Sequence, residues 1–198
     1  MVRGDKQFLL PNQMGGTGMS KALIIYHSVY GSTKKYAEWL SEVIESDVYD
    51  LDSFIPEMLN DYHTIILGGG LYAGKIKGLN FLKQIQRELR DQKIIIFTCG
   101  LADFKMKDNR DAVTKRVKRS LPKELFNRSK IFFLRGSIDY NQLSLIHRFM
   151  MWVMKSMLTR KGYDKLSGDD KLFVDIYGKS ISFVDKESIS DIVKECRE

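Results

Sequence analysis

The sequence predicts an α/β protein built on a doubly wound parallel sheet, and two observations support that prediction. Strand and helix signals alternate along the chain, which is typical of βαβ units. Four near-continuous apolar runs have the composition of strands covered on both faces: "ALIIYH" (22–27), "HTIILGGG" (63–70), "KIIIFTCG" (93–100) and "KIFFLRGSI" (130–138). Ligands of such sheets bind beyond the carboxyl ends of the strands.

Each element is predicted from the spacing of its apolar residues. A fifth, short strand is predicted at "DVYDL" (47–51). Helices are predicted between and after the strands, at 34–45, 80–89, 108–121 and 186–196. The first helix has one apolar stripe at helical spacing, formed by Tyr36, Trp39, Leu40, Val43 and Ile44. The strand ends leave three loops where a ligand is expected, at 28–33, 69–76 and 99–107.

Length, charge and cysteine content narrow the class of protein. A chain of 198 residues suits one domain, which we assign to 19–198. The formal charge of +7, from 32 basic and 25 acidic residues, favours anionic partners. Cys99 and Cys196 give no CxxC, no zinc spacing and no disulfide framework, so no metal is expected and a reducing cytoplasm fits.

Residues 1–18 hold no periodic pattern and end in a Gly-rich stretch before Met19. We interpret them as a leader or a cloning remnant, expected to be disordered, so that the native chain starts at Met19. The apolar run Phe8–Leu10 is too short for a signal peptide. No run of 18 or more uncharged apolar residues occurs, so no segment is expected to span a membrane.

The loop after the first strand has the chemistry of a phosphate site. Ser28, Ser32 and Thr33 surround Gly31 immediately before a predicted helix. The first N–H groups of a helix lack internal partners and carry the positive end of its dipole. Hydroxyls add donors, and a glycine lets the chain curl around an anion. The loop matches neither GxxxxGK[ST] nor GxGxxG, and a Ser/Thr-rich helix cap without a ligand is the alternative.

The stretch "HSVYGSTKKYAEWL" (27–40) resembles the phosphate loop of flavodoxins, and the resemblance runs over 21–198. It implies a five-stranded parallel sheet of order 2-1-3-4-5 and one non-covalent FMN. The residues that the resemblance places around the FMN phosphate are Ser28, Val29, Tyr30, Gly31, Ser32 and Thr33.

Two further loops fall where flavodoxins hold the isoalloxazine ring. The implied ring contacts in the first loop are Gly69, Gly70, Leu71, Tyr72, Ala73 and Gly74. Those in the second are Thr98, Cys99, Gly100 and Leu101. Consecutive glycines permit close approach of backbone to ligand. Tyr72 is expected to stack on the ring, the alternative being an ordinary exposed tyrosine. The Cys99 thiol is expected to be buried and inert.

Four lysines lie in these loops where typical carrier flavodoxins are acidic: Lys75, Lys77, Lys105 and Lys107. A positive field near the ring stabilises reduced anionic flavin and raises its two-electron potential. The alternative is that these lysines are merely solvated.

Residues 143–158 are helical in character and apolar around most of the circumference. One narrow face carries His147, Arg148, Met151 and Lys155. Three alternatives are open for this segment. The helix packs on the core, or it forms a homodimer contact, or it rests on a membrane with its basic residues towards the headgroups.

The insert at about 138–170, together with "GGGLYAGK" (68–75) and "SFVDKESI" (182–189), resembles the flavodoxin-like protoporphyrinogen IX dehydrogenases of bacteria. That resemblance implies FMN chemistry in which electrons pass from protoporphyrinogen to a respiratory quinone, as one step serving heme biosynthesis. It implies a cytoplasmic protein at the inner face of the cell membrane. His147 and Arg148 are expected to hold the porphyrin propionates, Arg148 by a bidentate pair. No general acid or base is assigned.

Two other redox functions stay open, a non-enzymatic electron carrier and an FMN-dependent quinone reductase. A carrier has no use for the Met/Trp-rich helix, and a reductase requires a nicotinamide donor. A nucleic-acid module using "TKRVKRS" (114–120) is disfavoured, because aromatic residues are not interleaved with its charges.

Overall fold

The computed structural model describes residues 21–72 and 74–198. The predictions made for residues 1–18 and for Ala73 lie outside the described residues. Within the described ranges, no helix is both long enough and apolar enough to cross a membrane.

Five parallel strands form the central sheet. The strands of the described residues are β1 (Ala22–His27), β2 (Ser46–Asp50), β3 (Thr64–Tyr72), β4 (Lys75–Ile76), β5 (Lys93–Gly100), β6 (Ser129–Arg135), β7 (Ser137–Asp139) and β8 (Ser180–Ser182). The sheet runs in the order β2-β1-β3-β5-β6, and β4 pairs with β3 in an antiparallel hairpin. Counting the parallel strands alone, this is the predicted order 2-1-3-4-5, which is therefore confirmed.

Helices cover both faces of the sheet. They are α1 (Ser32–Ser41), α2 (Leu79–Gln84), α3 (Lys107–Ser120), α4 (Lys123–Arg128), α5 (Leu145–Lys161), α6 (Gly168–Ile176) and α7 (Ser190–Arg197). Side chains of alternate strand residues enter two cores. One packs against α2, α3 and α4, and includes Leu23, Ile65, Leu67, Ile94, Val113 and Val117. The other packs against α1 and α7, and includes Ile24, Ile66, Ile95, Phe97, Tyr36 and Ile192.

The predicted strand at 130–138 is wrong as a single element, because the chain breaks at Gly136 into β6 and β7. The Gly136 N–H donates to the Gly100 carbonyl at 2.7 Å. A Cβ at Gly136 would lie 3.1 Å from Cys99 Sγ, so the chain crosses the end of β5 at close range. β7 then leaves the parallel sheet and pairs with β8.

Other boundaries differ from the predictions for local reasons. The first helix, predicted at 34–45, begins at Ser32, because left-handed Gly31 precedes it. The loop predicted at 69–76 is instead the β3–β4 hairpin. The helix predicted at 80–89 ends at Gln84, and the one predicted at 186–196 starts with a 3-10 turn before α7. Helices α4 and α6 lack a counterpart among the predicted elements.

The insert lies over the carboxyl edge of the sheet. It extends beyond the predicted range of 138–170, because its base is the antiparallel β7–β8 pair, in which Ile138 lies opposite Ile181. A small core of its own joins Ile138, Leu143 and Ile176, and Tyr30 and Leu101 from the sheet edge pack against it. The predicted loop after β1 and the predicted loop after β5 therefore both contact the insert.

Candidate functional site

The loop after β1 is shaped by Gly31, which has φ +88° and precedes the first turn of α1. Ser28 Oγ accepts the Gly31 N–H at 3.0 Å, and the Gly31 carbonyl accepts the Lys35 N–H at 2.9 Å. A Cβ at Gly31 would meet nothing within 4 Å, so the glycine is needed for its backbone angle and not for space. The result is a tight turn at a helix N-terminus, open on one side.

The three hydroxyls of this loop differ in their partners. Ser28 closes the turn, and Ser32 Oγ accepts the Ser137 N–H at 3.0 Å and lies 2.7 Å from Ser137 Oγ. Thr33 is fully buried, and its hydroxyl has no hydrogen-bond partner of good geometry among the described residues. The Cys99 thiol lies nearby, but a thiol is a weak partner. An unpaired buried hydroxyl costs about 1–3 kcal/mol, so Thr33 is a candidate donor to an anion bound at this loop.

Tyr72 reaches from the β3–β4 hairpin into the loop. The Val29 N–H donates to Tyr72 Oη at 3.1 Å. Burial raises the pKa of the Tyr72 phenol, which stays protonated at neutral pH. The ring covers Gly70, since a Cβ there would lie 2.3 Å from Tyr72 Cε2. Tyr72 is therefore tied to the loop after β1 and is not a free loop tyrosine.

His147 is the residue through which the insert meets this loop. His147 Nδ1 is hydrogen-bonded to Tyr30 Oη. The Tyr30 ring stands edge-on to the rings of His147 and Tyr72, at centroid distances of 5.7 and 5.8 Å. The rings of Tyr72 and His147 are near parallel, 16° apart, with centroids 6.2 Å apart. Three aromatic side chains from three parts of the chain thus form one cluster beside the loop.

Arg148, predicted to act with His147, is engaged elsewhere. It is exposed, and its Nη2 donates to the Asn141 carbonyl at 2.9 Å. Arg148 and His147 thus each have a separate partner within the protein, and their role towards a substrate stays a prediction.

The glycines of β3 approach protein groups closely. A Cβ at Gly68 would lie 2.3 Å from the Phe97 ring, and one at Gly69 would lie 2.4 Å from the Lys77 carbonyl oxygen. Gly68 and Gly69 are therefore required for packing inside the protein, and the contact of Gly69 and Gly70 with the flavin ring stays a prediction. Leu71 and Gly74 lie on either side of the hairpin turn, with Leu71 half-buried and Gly74 exposed.

The end of β5 is tied to the chain that follows β6. Thr98 and Cys99 are buried, and burial raises the pKa of the Cys99 thiol to about 12. The Gly100 carbonyl accepts the Gly136 N–H, and the Leu101 carbonyl accepts Arg135 Nη2 at 3.2 Å. Both carbonyls therefore accept hydrogen bonds from the protein itself. The resemblance instead implies that this loop faces the isoalloxazine ring.

Sequence reasoning missed Arg135 and Ser137. They lie at and just beyond the carboxyl end of β6, which is the position where the fold gathers functional groups. The Arg135 guanidinium lies 3.7 Å from the centroid of the Phe183 ring. The sequence feature that points to both residues is their position at the end of an apolar strand, next to the predicted site.

The four lysines of the flanking loops are not equivalent. Lys107 pairs with Asp111 at 2.5 Å, which neutralises one positive charge. Lys75, Lys77 and Lys105 have no carboxylate partner in the described part of the chain. Across residues 21–72 and 74–198, no three His, Cys, Asp or Glu side chains cluster closely enough to hold a metal ion.

Helix α5 presents much of its apolar surface to solvent. The side facing the protein carries half-buried His147, Met151 and Lys155, and the helix's one buried residue, Leu158. The exposed apolar side chains are Leu145, Ile146, Phe149, Met150, Trp152, Met154 and Met157. Leu145 and Ile146 are 82% and 72% exposed. The alternative in which this helix simply buries its apolar surface on the core is therefore wrong for this face.

Comparison with known proteins gives one family and several distant likenesses. A family model described as "Flavodoxin domain" matches residues 23–165. An uncharacterized protein of Methanocaldococcus jannaschii is 36% identical over 56 residues, which are 28% of this chain and 37% of that protein. The match thus spans well under half the length of that relative.

Solved structures are similar only at low identity. Oxidised flavodoxin 1 from Bacillus cereus is 18% identical, covering 66% of this chain and 94% of its own, with a TM-score of 0.41. A flavoprotein in complex with FMN from Lactobacillus acidophilus is 17% identical, with coverages of 59% and 93% and a TM-score of 0.41. An NADPH-quinone reductase from P. pentosaceus is 12% identical, with coverages of 80% and 95% and a TM-score of 0.42. Similarity at this level specifies neither a ligand nor a substrate.

Proposed function

The chain belongs to the flavodoxin family, whose cofactor is FMN, and from that premise we propose that it is an FMN-dependent oxidoreductase. Its proposed reaction takes electrons from protoporphyrinogen IX and passes them to a quinone. The observation that supports the proposal is the insert, which lies over the carboxyl edge of the sheet and contributes His147 to the aromatic cluster with Tyr30 and Tyr72. A protein that only carries electrons needs no insert over that edge.

The loop residues fit an FMN phosphate. Thr33 offers its unpaired hydroxyl, the Val29 N–H bonds to the Tyr72 hydroxyl that a phosphate would replace, and Gly31 leaves open space beside the helix N-terminus. The first turn of α1 adds backbone N–H groups and the positive end of the helix dipole. FMN, when bound, supplies the two-electron chemistry that amino-acid side chains lack.

The residues around the loop have positioning roles in this proposal. The Tyr72 ring flanks the isoalloxazine, and His147 holds Tyr30 from the insert side. Arg148, engaged with the Asn141 carbonyl, is not assigned to the substrate.

The outer face of α5 is proposed to rest on an anionic membrane surface, where a quinone dissolves. The exposed basic residues of the helix are Arg148, Arg160 and Lys161, and the helix has no acidic residue, so its charge matches anionic headgroups. A symmetric dimer through this face would oppose two sets of like charges, which favours lipid over a second copy. The stacked pair Phe149 and Trp152 supplies aromatic side chains of the kind found at membrane interfaces.

The substrate is tested by a fluorescence assay without oxygen. Protein reconstituted with FMN is mixed with protoporphyrinogen IX and a soluble quinone, and the rise of porphyrin fluorescence is followed. We expect porphyrin to form only with FMN present, and at a lower rate with the Thr33→Val variant at limiting FMN. Absence of porphyrin from protein whose spectrum shows bound flavin would contradict the substrate, and would leave the flavin site intact.

Membrane contact is tested by co-sedimentation with vesicles. We expect the protein to bind phosphatidylglycerol-containing vesicles, and the double variant Phe149→Ser/Trp152→Ser to bind at least about tenfold more weakly, since each large apolar side chain contributes about 1.5–3 kcal/mol on burial. Val43→Ser/Ile55→Ser is the matched control, because both residues are exposed but lie outside the insert. Absence of binding by the parent protein, or equal losses in both variants, would exclude α5 as a membrane contact.

A further inference from the structure

A cavity lies apart from the loop after β1, between the β3–β4 hairpin and the C-terminal half of α3. Its volume of about 520 Å³ falls within the range of small-molecule sites. Four basic side chains line it, Lys75 and Lys77 from the hairpin and Arg116 and Arg119 from the helix. No carboxylate side chain is among the described residues that line it.

The four cations around this cavity lack a counter-charge within the described part of the chain. None of them forms a salt bridge there, although Lys107 on the same helix pairs with Asp111. Residues 112–123 contain five basic residues and no acidic one. All four side chains are exposed, so solvent screens part of their mutual repulsion, and an anion lying between them would neutralise the rest.

The hairpin side of the cavity is held in place by the backbone. The Lys77 N–H donates to the Gly70 carbonyl at 3.2 Å, and the Lys77 carbonyl packs against Gly69. Lys75 lies directly opposite Tyr72 in the β3–β4 pair, and residues opposite each other in an antiparallel pair share a face. The cavity therefore adjoins the strand pair that carries Tyr72.

We propose that this cavity binds a ligand that carries two or more phosphate groups. Two guanidinium groups can each grip a phosphate in a bidentate manner, and the two lysines complete the neutralisation. A single phosphate would leave about two of the four charges unpaired. The site goes beyond the proposed function, because none of its four cations belongs to the predicted phosphate loop, although Gly74, a predicted ring contact, also lines the cavity. A free polyphosphate and a nucleotide share this chemistry.

The proposal is tested by titrating the full-length protein, saturated with FMN, with pyrophosphate in a calorimeter. We expect saturable binding that weakens at least tenfold in the double variant Arg116→Gln/Arg119→Gln. The matched control is Lys115→Gln/Lys118→Gln, which removes the same charge from the same helix outside the cavity lining. We expect that control to bind within twofold of the parent protein, and thermal melting checks that both variants are folded.

Two results would overturn the proposal. One is the absence of saturable pyrophosphate binding, and the other is an equal loss in both variants, which would indicate a diffuse basic surface open to nucleic acid or an acidic protein. Titrations with ATP and NADPH then distinguish a nucleotide from a free polyphosphate as the ligand. Tighter binding of either nucleotide than of pyrophosphate supports a nucleotide site, and equal binding supports a free polyphosphate site.

Discussion

The Tyr72 hydroxyl accepts the Val29 N–H, an amide that a phosphate at this loop would use. The same side chain covers Gly70 and stacks near His147. Binding of FMN is therefore expected to compete with a hydrogen bond inside the protein. The competing hydrogen bond depends on one oxygen atom, Tyr72 Oη. Removing that atom removes the bond and leaves the aromatic ring unchanged.

Tyr72→Phe is expected to tighten FMN binding by about two- to tenfold, because a typical hydrogen bond contributes about 0.5–1.5 kcal/mol. The same substitution is expected to lower the stability of the FMN-free protein by a similar amount. Quenching of flavin fluorescence measures the affinity. Tyr62→Phe is the control, since its hydroxyl bonds to Asp47 away from the site. Weaker FMN binding by Tyr72→Phe alone would show that the hydroxyl assists the cofactor.

Both thiols are expected to be unreactive in the native protein. Burial raises the pKa of Cys99 to about 12 and that of Cys196 to about 11. At pH 8 the thiolate fractions are then about 10⁻⁴ and about 10⁻³, and only the thiolate is nucleophilic. A thiol reagent should label Cys99 more slowly than Cys196, both slowly, and both at once after denaturation. Prompt labelling of native Cys99 would contradict its burial at the end of β5.

At the scale of elements, α5 is joined to the rest of the protein by few buried side chains. Its one buried residue is Leu158, and its first half is joined to the loop after β1 by the bond between His147 and Tyr30. The predicted cofactor loop and the exposed apolar face thus belong to elements that share a hydrogen bond. We therefore expect a substitution in the loop after β1 to affect α5, and a substitution in α5 to affect that loop.

His147→Ala is expected to loosen the first two turns of α5. Loss of one hydrogen bond of about 0.5–1.5 kcal/mol should speed amide exchange there by about two- to tenfold. Hydrogen exchange with mass spectrometry measures this in peptides covering the helix. Ser156→Ala is the control on the same helix, because the Ser156 hydroxyl bonds to the Trp152 carbonyl within the helix itself. Unchanged exchange in His147→Ala would mean that packing alone holds the helix.

The elements that are predictable from the sequence are the strands that are buried on both faces of the sheet. The apolar runs of β1, β3 and β5 indicate strands covered on both faces, and their order in the sheet follows the family topology. The break at Gly136 is not predictable from the sequence, because it depends on a close crossing over Cys99 that leaves no local sequence pattern. Helix α6 is not predictable either, because it is short, at nine residues, and of mixed polarity.

At the scale of the whole molecule, the predicted loops do meet at one edge of the sheet, but their detailed partners could not be predicted. The bond from Ser32 to Ser137 and the bond from Val29 to Tyr72 join residues 105 and 43 positions apart. Such pairings depend on how the insert and the hairpin fold back over the sheet. The outward apolar face of α5 likewise depends on neighbours that are distant in sequence, which is why the sequence alone leaves three alternatives for it.

The proposed function depends on a phosphate held by the loop after β1, and comparing the binding of FMN with that of riboflavin, which lacks the phosphate, tests this directly. Both are titrated into flavin-free protein, with Thr33→Val as the variant that removes only a buried hydroxyl. We predict that FMN binds at least about 100-fold more tightly than riboflavin, as expected for about two or more charge-assisted hydrogen bonds. Thr33→Val should reduce that ratio and leave riboflavin binding unchanged. Equal affinity for the two flavins would contradict the phosphate site and the FMN-dependent function proposed from it.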